Sequence, residues 1–382
     1  MTDPHSVDPF HHLHDESYAS AYSHGLVGAD QYVPIGGRAV QDLNGPWSMT
    51  LDLFDEGLRQ RWYALDDCSA SQWALPRDYE IDAGDLVPVP SCWTVLKPEW
   101  TFFEGAAWYT RRFDWSCGPD DERVVLNIGA ANYAALVFLN GVFVGGHRGG
   151  STPFTLDVTA ELRHGSNRLQ VMVENRRCAS RVPMHHFDWF NDGGLYRDVS
   201  LMRLPSIHIR RATATLLPGG KLVRFAVEMS SAINGHADVA ITELGLQTRM
   251  ALKDGAGEAT AAFNGALWSP AQPRLYDVAF TACGDTVSDR IGFRTIETRG
   301  TSILLNGTPI WLKGVCVHED DRALGKVSTE DDVRRRCADA LQMGCNFLRL
   351  AHYPHHEHVA RIADEMGLLL WAEIPVYWAI AF

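Results

Sequence analysis

Three short apolar segments near the C-terminal end of the chain constrain the fold more than any other sequence feature. They are IWLKGVCV (310–317), NFLRLAH (346–352) and LLLWAEIP (368–375). Residues 328–344 and 356–366, which separate them, have the pattern of helices. Apolar strands that alternate with helices form a parallel sheet, because each crossover returns the chain to the same end of the sheet. The order predicts a βαβαβ unit, typical of the first part of a TIM (β/α)8 barrel.

Both helices are also predicted from their end signals. Ser328 and Thr329 can cap the first helix, and the acidic residues 330–332 favour the positive end of its dipole. Gly344 and Gly367 follow the two helical patterns, where a glycine commonly ends a helix.

The rest of the chain is predicted to be mainly β. Residues 40–205 contain short alternating segments, and Asn140-Gly141 between two of them is a tight-hairpin signal, so we predict a jelly-roll β-sandwich. The strand segments of 206–296 suit an immunoglobulin-like β-sandwich. The predicted domains are a leader (1–35), the jelly roll (36–205), the immunoglobulin-like sandwich (206–298) and a truncated TIM-barrel domain (299–382).

Charge and cysteine use exclude several functions. The net charge of −13 would repel nucleic acid and anionic membranes, so we expect neither as a partner. The eight cysteines include no CxxC pair, which indicates reduced thiols. The N-terminus lacks the pattern of a secretory signal, and no apolar segment approaches membrane-spanning length. These features predict a cytoplasmic protein.

Two histidine clusters could suggest a metal. His11, His12 and His14 lack a second ligand set at fixed spacing, so we interpret them as part of a solvated tail. The second cluster, His355, His356 and His358, begins a helix and is expected to face solvent. No metal site is predicted.

Polar or aromatic residues end all three predicted barrel strands, which is where the sites of such barrels lie. They are His318-Glu319-Asp320, Arg349 with His352-Tyr353, and Glu373 with Tyr377 and Trp378. A core strand has no reason to end in this way. We therefore predict a ligand site here.

The roles of the carboxylates are open to two interpretations. Glu319 and Glu373 could form the carboxylate pair of glycoside hydrolysis. Alternatively, both orient histidine and arginine side chains, which is the interpretation we favour. His352 could likewise be a general base or a hydrogen-bonding ligand of the substrate, and we favour the second.

A resemblance to a known family covers almost the whole chain. NFLRLAHYPHHEHVARIADEMGLLLWAE resembles the signature of glycoside hydrolase family 2. The matching residues are Asn346, Arg349, His352, Tyr353, Pro354, Asp364 and Gly367. ANYAALVFLNGVFVGGHRGGSTPFTLDVT and FDWFNDGGLYRDVSL are similar to the family's sugar-binding jelly roll. DRIGFRTIETRGTSILLNGTPIWLKGV is similar to its passage from the immunoglobulin-like domain into the barrel, and HEDDRALGK to the β-glucuronidase branch.

The resemblance implies hydrolysis of terminal β-glycosidic bonds with retention, of the β-galactosidase or β-glucuronidase type. The two catalytic glutamates of the family follow the fourth and seventh barrel strands. We therefore expect an N-terminal fragment that lacks both and is inactive by itself. The alternative is a non-catalytic carbohydrate-binding protein. The expected partner is a carbohydrate β-glycoside, and a homo-oligomer is left open.

Several substrate-binding residues follow from the resemblance. Asp188, in FDWFNDGG, matches an aspartate that binds sugar hydroxyls and touches a sodium ion in the β-galactosidase branch. His352 matches a histidine that contacts the substrate ring, and Arg349 an arginine that supports the catalytic carboxylates. No organic cofactor is expected, and a sodium or magnesium ion in the full enzyme is left open.

Trp378, which could stack on a sugar face, together with Glu373 and His318 completes the predicted binding set. Glu104 lies near the position of a substrate-binding asparagine of β-galactosidases. Cys316 and Val317 depart from the family, which often has Asn-Arg there.

Overall fold

The computed structural model describes residues 38–65, 81–118, 122–178, 181–185 and 187–375. The predicted leader and Trp378 lie outside these residues. The described chain is mainly β, as predicted, and divides into two compact units. Unit 1 contains Asp42–Gly118 and Val125–Ser200, and unit 2 contains the described residues from Leu201 onward with two short segments from earlier in the chain.

The N-terminal part of the described chain is built from antiparallel strands. They are β1 (Val40–Asp42), β2 (Gly45–Asp52), β3 (Asp85–Val89), β4 (Ala106–Trp115), β5 (Glu122–Ile128), β6 (Ala131–Asn132), β7 (Ala134–Leu139), β8 (Val142–Arg148), β9 (Phe154–Asp157), β10 (Gly165–Glu174), β11 (Gly194–Leu195) and β12 (Val199–Pro205). A short helix, α1, spans Trp93–Leu96. The sheets have the orders β3-β2-β4-β10-β7-β8, β1-β12-β5-β9 and β11-β6.

The predicted hairpin at Asn140-Gly141 is confirmed. β7 and β8 pair with Leu139 opposite Val142, so these two residues form the turn. Asn140 and Gly141 have φ angles of 52° and 84°, which asparagine and glycine tolerate better than other residues.

Unit 2 continues with a β-sandwich. Its strands are β13 (Ile209–Leu216), β14 (Leu222–Met229), β15 (Gly235–Ile241), β16 (Leu246–Leu252), β17 (Ala256–Ala262), β18 (Tyr276–Ala282) and β19 (Asp285–Ile291). They form sheets of order β13-β14-β17 and β16-β15-β18-β19. Alternate residues of β14, Val223, Phe225 and Val227, are buried in one core with residues of the second sheet. This packing is that of the predicted immunoglobulin-like sandwich.

A three-stranded sheet of β20 (Ile296–Arg299), β21 (Ser302–Leu305) and β22 (Thr308–Pro309) leads to the predicted βαβαβ unit. That unit contains β23 (Gly314–Val317), α2 (Glu330–Gln342), β24 (Phe347–Leu350), α3 (Glu357–Met366) and β25 (Leu369–Ala372). The sheet is parallel and in sequence order, as predicted. None of the described helices is both long and apolar enough to cross a membrane.

β23 is shorter than the apolar segment from which it was predicted. Ile310 and Leu312 precede the strand and pack instead against the buried cluster of Trp268, Leu275 and Leu369. Their apolar character is therefore explained by packing on the sandwich, which sequence periodicity does not distinguish from strand packing.

The predicted helix ends are observed. Thr329 is the cap of α2, since its side chain accepts from the Asp332 N–H and Asp332 accepts from the Thr329 N–H. Ser328 instead contacts the Arg336 guanidinium. Gly367 has a φ of 83° and ends α3, a conformation that a side chain would strain.

The two faces of the parallel sheet differ in burial. Leu348 and Leu350 pack under the helices in one apolar cluster. On the other face, the strand register aligns Cys316, Arg349 and Trp371. Trp371 is 59% exposed there.

Trp268 connects the sandwich to the βαβαβ unit. Its fully buried indole donates from Nε1 to the carbonyl oxygen of Asp364 in α3, at 2.8 Å. The Arg294 guanidinium lies 4.4 Å from the indole centre and pairs with the Asp364 carboxylate at 3.0 Å. Burial raises the pKa of Asp364, and Arg294 offsets only part of that effect. Asp364, an acidic position of the family signature, therefore belongs to this junction.

Neighbouring ion pairs reinforce the junction. Glu365 accepts from Arg290 of β19 at 3.0 Å and from Arg334 of α2 at 2.7 Å. Arg361 of α3 pairs with Asp289 of β19 at 2.6 Å. Exposed pairs of this kind each contribute little, but several together fix the geometry of the contact.

Trp268→Ala tests the junction. We expect it to lower the free energy of unfolding by ~3–5 kcal/mol, because it leaves a large cavity and an unsatisfied carbonyl. Urea unfolding followed by circular dichroism measures the change. Trp311→Ala is the matched control, since Trp311 is 79% exposed. An equal loss of unfolding free energy in the two variants would contradict the role of Trp268 in the junction.

The exposed sheet face predicts self-association through residues 310–382. Trp371 and Ile374 are 59% and 72% exposed, and removing such apolar surface from water is favourable. We expect sedimentation velocity to show concentration-dependent association that Trp371→Lys reduces. Leu86→Lys, which changes a leucine of β3 that is 76% exposed, should leave the association unchanged. A monodisperse monomer at all concentrations would contradict this expectation.

Candidate functional site

Arg349 and Glu373 form an ion pair at the C-terminal ends of β24 and β25. Arg349 donates from Nε to Glu373 Oε1 at 2.6 Å. Its Nη1 lies 3.7 Å from the sulfur of Cys316, the neighbouring residue on β23. The parallel register places residues of all three strands side by side at this end of the sheet.

His352 shares the same carboxylate. Its Nδ1 lies 2.9 Å from Glu373 Oε2. Since an ionised carboxylate can only accept, Nδ1 must carry a proton, and in the neutral ring Nε2 is then an acceptor. Nη2 of Arg349 lies 3.4 Å from the same Nδ1. We interpret that approach as a packing contact, because both nitrogens are donors.

Glu373 is held as an anion. Burial raises its pKa, but the hydrogen bonds from Arg349 and His352 outweigh burial and lower the pKa below its ordinary value. The Glu373 carboxylate in turn raises the pKa of Arg349. A carboxylate of this kind orients two cationic or donor side chains and is unsuited to donate a proton near neutral pH.

Glu319 has a different partner. It is almost fully buried, and its Oε1 accepts from the backbone N–H of His356 at 2.8 Å, where α3 begins. This contact fits an orienting carboxylate, as in the interpretation favoured from the sequence. Its role in substrate binding or catalysis stays a prediction.

His318 lies beside His352, with the two ring centres 5.2 Å apart and the planes at 78°. Its Nδ1 is 3.4 Å from the hydroxyl of Tyr353, a buried residue of the family signature. The structure therefore brings together four of the predicted residues of unit 2: His318, Arg349, His352 and Glu373.

The expectation that His355, His356 and His358 face solvent is wrong. His356 is buried, caps α3 by accepting from the His358 N–H, and stacks on the His358 ring at 3.9 Å. His355 bonds through Nε2 to the Ala351 carbonyl at 2.9 Å. The imidazoles of His355 and His356 bond to backbone groups around the start of α3. The sequence pattern alone does not reveal these contacts.

Asp188 lies in unit 1, on the loop between β10 and β11, and is exposed. The rings of Phe187 and Trp189 on either side of it meet edge to face at 4.5 Å. Phe102, 85% exposed, lies 6.1 Å from Phe190, measured between ring centres. Aromatic surface beside a carboxylate suits sugar rings, which have apolar faces and hydroxyl edges.

A buried amide network supports this loop. Asn132 donates to Asn191 at 3.1 Å, and Asn191 donates to the Asn175 carbonyl at 2.6 Å. Sequence reasoning did not identify these asparagines, and the turn-like FNDGG motif is the only signal that pointed to the segment.

Glu104 is held near the same network. It pairs with Arg177 at 2.6 Å. Burial raises the pKa of Glu104, but hydrogen bonds from Arg177 and Asn191 lower it below the ordinary value. Glu104 is therefore an anion already neutralised by Arg177.

The sodium or magnesium ion left open for the full enzyme stays a prediction. Among the described residues, Asp188 does not belong to any group of three acidic, cysteine or histidine side chains that are close enough together to hold a metal ion. Sodium and magnesium are hard cations, which prefer about six oxygen ligands.

Two parts of the chain match models of one family. Residues 40–205 match the sugar binding domain of the glycosyl hydrolases family 2, and residues 296–378 match the TIM barrel domain of the same family. These ranges contain every predicted substrate-binding residue.

Known relatives are similar over most of this chain. A putative β-glucuronidase of Formosa agariphila is 27% identical over 88% of the chain and 41% of its own length. A β-glucuronidase of Paenibacillus borealis is 27% identical over 88% and 59%. A β-galactosidase of Thermoanaerobacter pseudethanolicus is 28% identical over 70% and 39%. The chain thus spans between 39% and 59% of the length of these relatives.

Solved structures are also similar to most of this chain. The β-glucuronidase of Ruminococcus gnavus superposes with a TM-score of 0.78 and 25% identity, over 91% of this chain and 61% of the other. The same enzyme in complex with D-glucaro-d-lactam is 26% identical, with a TM-score of 0.78 over 91% and 61%.

Glu373→Gln tests the ion pair. Because the native pKa of Glu373 is lowered, the pair stabilises the fold above the unfolded pKa of ~4.3 and loses that effect as pH falls through the native value. We expect the variant to melt roughly 2–4 °C below the wild type at pH 7. The difference should shrink at an acid pH below the native pKa of Glu373, where both proteins carry an uncharged group at this position.

Calorimetry or circular dichroism at the two pH values measures this difference. Glu258→Gln, which changes an exposed glutamate of β17, is the control and should show no pH-dependent difference. A loss of melting temperature that is equal at both pH values would contradict the ion-pair explanation.

Proposed function

The chain belongs to glycoside hydrolase family 2, and we propose that it forms the sugar-recognition part of a retaining β-glycosidase of the β-glucuronidase type. The names of the relatives support this proposal, since two of the three described above are named β-glucuronidase, one of them as putative. One similar structure binds D-glucaro-d-lactam, a sugar-acid derivative. A β-galactosidase type is the alternative within the family.

The observation that carries the proposal is the shared anion of Glu373. It holds Arg349 and His352 in fixed positions at the strand ends, with the imidazole proton on Nδ1. Rigid donors and acceptors of this kind bind hydroxyl groups without a large entropy cost. We assign Arg349, His352 and His318 to substrate binding or its support, and Asp188 to sugar hydroxyls.

Proton transfer is not assigned to these residues. A glycosidase general acid needs a raised pKa, whereas that of Glu373 is lowered. Glu319 is engaged by the start of α3. We therefore propose that residues 1–382 bind the sugar and do not cleave it by themselves.

A second candidate, a non-catalytic carbohydrate-binding protein, is favoured by one observation. The exposed rings of Phe102 and Phe190 lie in the same unit as exposed Asp188 and provide a platform for sugar binding within unit 1. In this alternative unit 1 binds the sugar, so His352 substitutions would leave the affinity for the sugar unchanged. We also propose a cytoplasmic location, on the cysteine spacing along the sequence.

Calorimetric titration of the 382-residue chain with glucuronic acid and galactose tests the proposal. We expect Asp188→Asn and His352→Ala each to weaken binding ~10-fold or more, as for a lost hydrogen bond to a charged or buried group. Asp254→Asn, in an exposed turn, is the control and should bind normally.

Activity toward nitrophenyl β-glycosides separates binding from catalysis. Hydrolysis by the 382-residue chain would contradict the assignment of binding alone. Absence of binding to every sugar tested would contradict the proposed function, and an unchanged affinity of His352→Ala alone would favour the second candidate.

A further inference from the structure

We propose that Phe102 and Phe190 form a binding site for the aglycone of the β-glycoside, and that this site selects an uncharged aromatic or flat apolar group. The proposal rests on the proposed function, because it takes the sugar to be bound at Asp188, near Phe190 in the chain. Neither phenylalanine was identified as a site residue from the sequence.

The two phenylalanine rings meet at the surface of unit 1. The ring centres of Phe102 and Phe190 lie 6.1 Å apart, and the ring planes are tilted by 56°. Phe102 is 85% exposed and Phe190 is 41% exposed. A further aromatic ring can stack on such a ring or meet it edge to face, and both arrangements are favourable. Apolar side chains that contact each other and remain in water therefore suit an apolar ligand.

The buried side chain of Asn175 connects the two segments that carry the rings. Its Oδ1 accepts from the backbone N–H of Gly105 at 3.0 Å, and its Nδ2 lies 3.3 and 3.4 Å from the carbonyl oxygens of Phe103 and Asn191. The side chain of Asn191 donates back to the Asn175 carbonyl at 2.6 Å. These contacts keep the two segments at a fixed spacing before a ligand binds, which lowers the entropy cost of binding.

The charges beside the rings favour an uncharged ligand. Glu104, two residues after Phe102, forms an ion pair with Arg177 at 2.6 Å. The two charges therefore neutralise each other. Since phenylalanine has no hydrogen-bonding group in its side chain, the rings suit a flat apolar group better than the hydroxyl edge of a sugar.

The chain itself sets the distance between the rings and the proposed sugar contact. Asp188 is two residues before Phe190, so their Cα atoms are at most about 7 Å apart. When the hydroxyls of a sugar bind Asp188, the group attached to its anomeric oxygen can reach the rings. The inferred substrate class is therefore a β-glycoside with an aromatic or flat apolar aglycone.

Calorimetric titration of the 382-residue chain with matched glycosides tests the site. Methyl and phenyl β-glucuronide share one sugar and differ only in the aglycone, as do methyl and phenyl β-galactoside. For the sugar that binds, we expect the phenyl glycoside to have a Kd ~3–10-fold lower than that of the methyl glycoside, as for one aromatic contact. Equal Kd values would overturn the proposal and leave the proposed function intact.

Phe102→Ala is expected to remove most of the phenyl preference and to leave the Kd of the methyl glycoside unchanged. Phe190→Ala should have the same effect, so the result does not depend on one variant. Phe143→Ala is the matched control. Phe143 is 40% exposed and lies by the β7–β8 turn, at the opposite end of the sheet from Glu174 and the start of β4. All three variants should retain the wild-type circular dichroism spectrum.

The pattern of affinity losses separates this inference from the proposed function. A phenyl preference that persists in both Phe102→Ala and Phe190→Ala would overturn the inference. An equal loss of affinity for the methyl and phenyl glycosides would also overturn it, because the rings would then hold the sugar itself, as in the second candidate. Failure of the wild-type chain to bind any of these glycosides would overturn both the inference and the proposed function.

Discussion

The buried indole of Trp268 is the interaction on which the geometry of unit 2 depends. It donates to the α3 backbone at Asp364, packs against Leu369 of β25 and lies under Arg294. The sandwich therefore determines where α3 and β25 lie. Glu373 follows β25 directly, so the anion that holds Arg349 and His352 is positioned by a tryptophan far from it in sequence.

The strand-end site is organised around fixed anions and carbonyls. Glu373 accepts from Arg349 and His352, and Glu319 accepts from the backbone N–H at the start of α3. The His352 imidazole thereby has its proton on Nδ1, which faces Glu373. Such preorganisation favours recognition, because little freedom is lost on binding. The carboxylates of this site are also poor candidates for proton transfer, because they already accept hydrogen bonds from protein donors.

Much of the fold could be predicted because it depends on local physical chemistry. The capping pair of Thr329 and Asp332, the glycine at position 367 and the Asn140-Gly141 turn involve only neighbouring residues. The alternation of apolar strands and helices was likewise sufficient to predict a parallel sheet. The extent of β23 was less predictable, because Ile310 and Leu312 are apolar for contact with the sandwich.

The sequence by itself determined the order of the elements, their parallel or antiparallel pairing and the residue types at the strand ends. Only the tertiary structure decided the partners, such as Arg294 for Asp364 and the start of α3 for Glu319. The reason is physical. Periodicity and capping act over a few residues, whereas a buried carboxylate or imidazole takes whichever donor or acceptor folding brings within about 3 Å, and that residue can be tens of positions away in the chain.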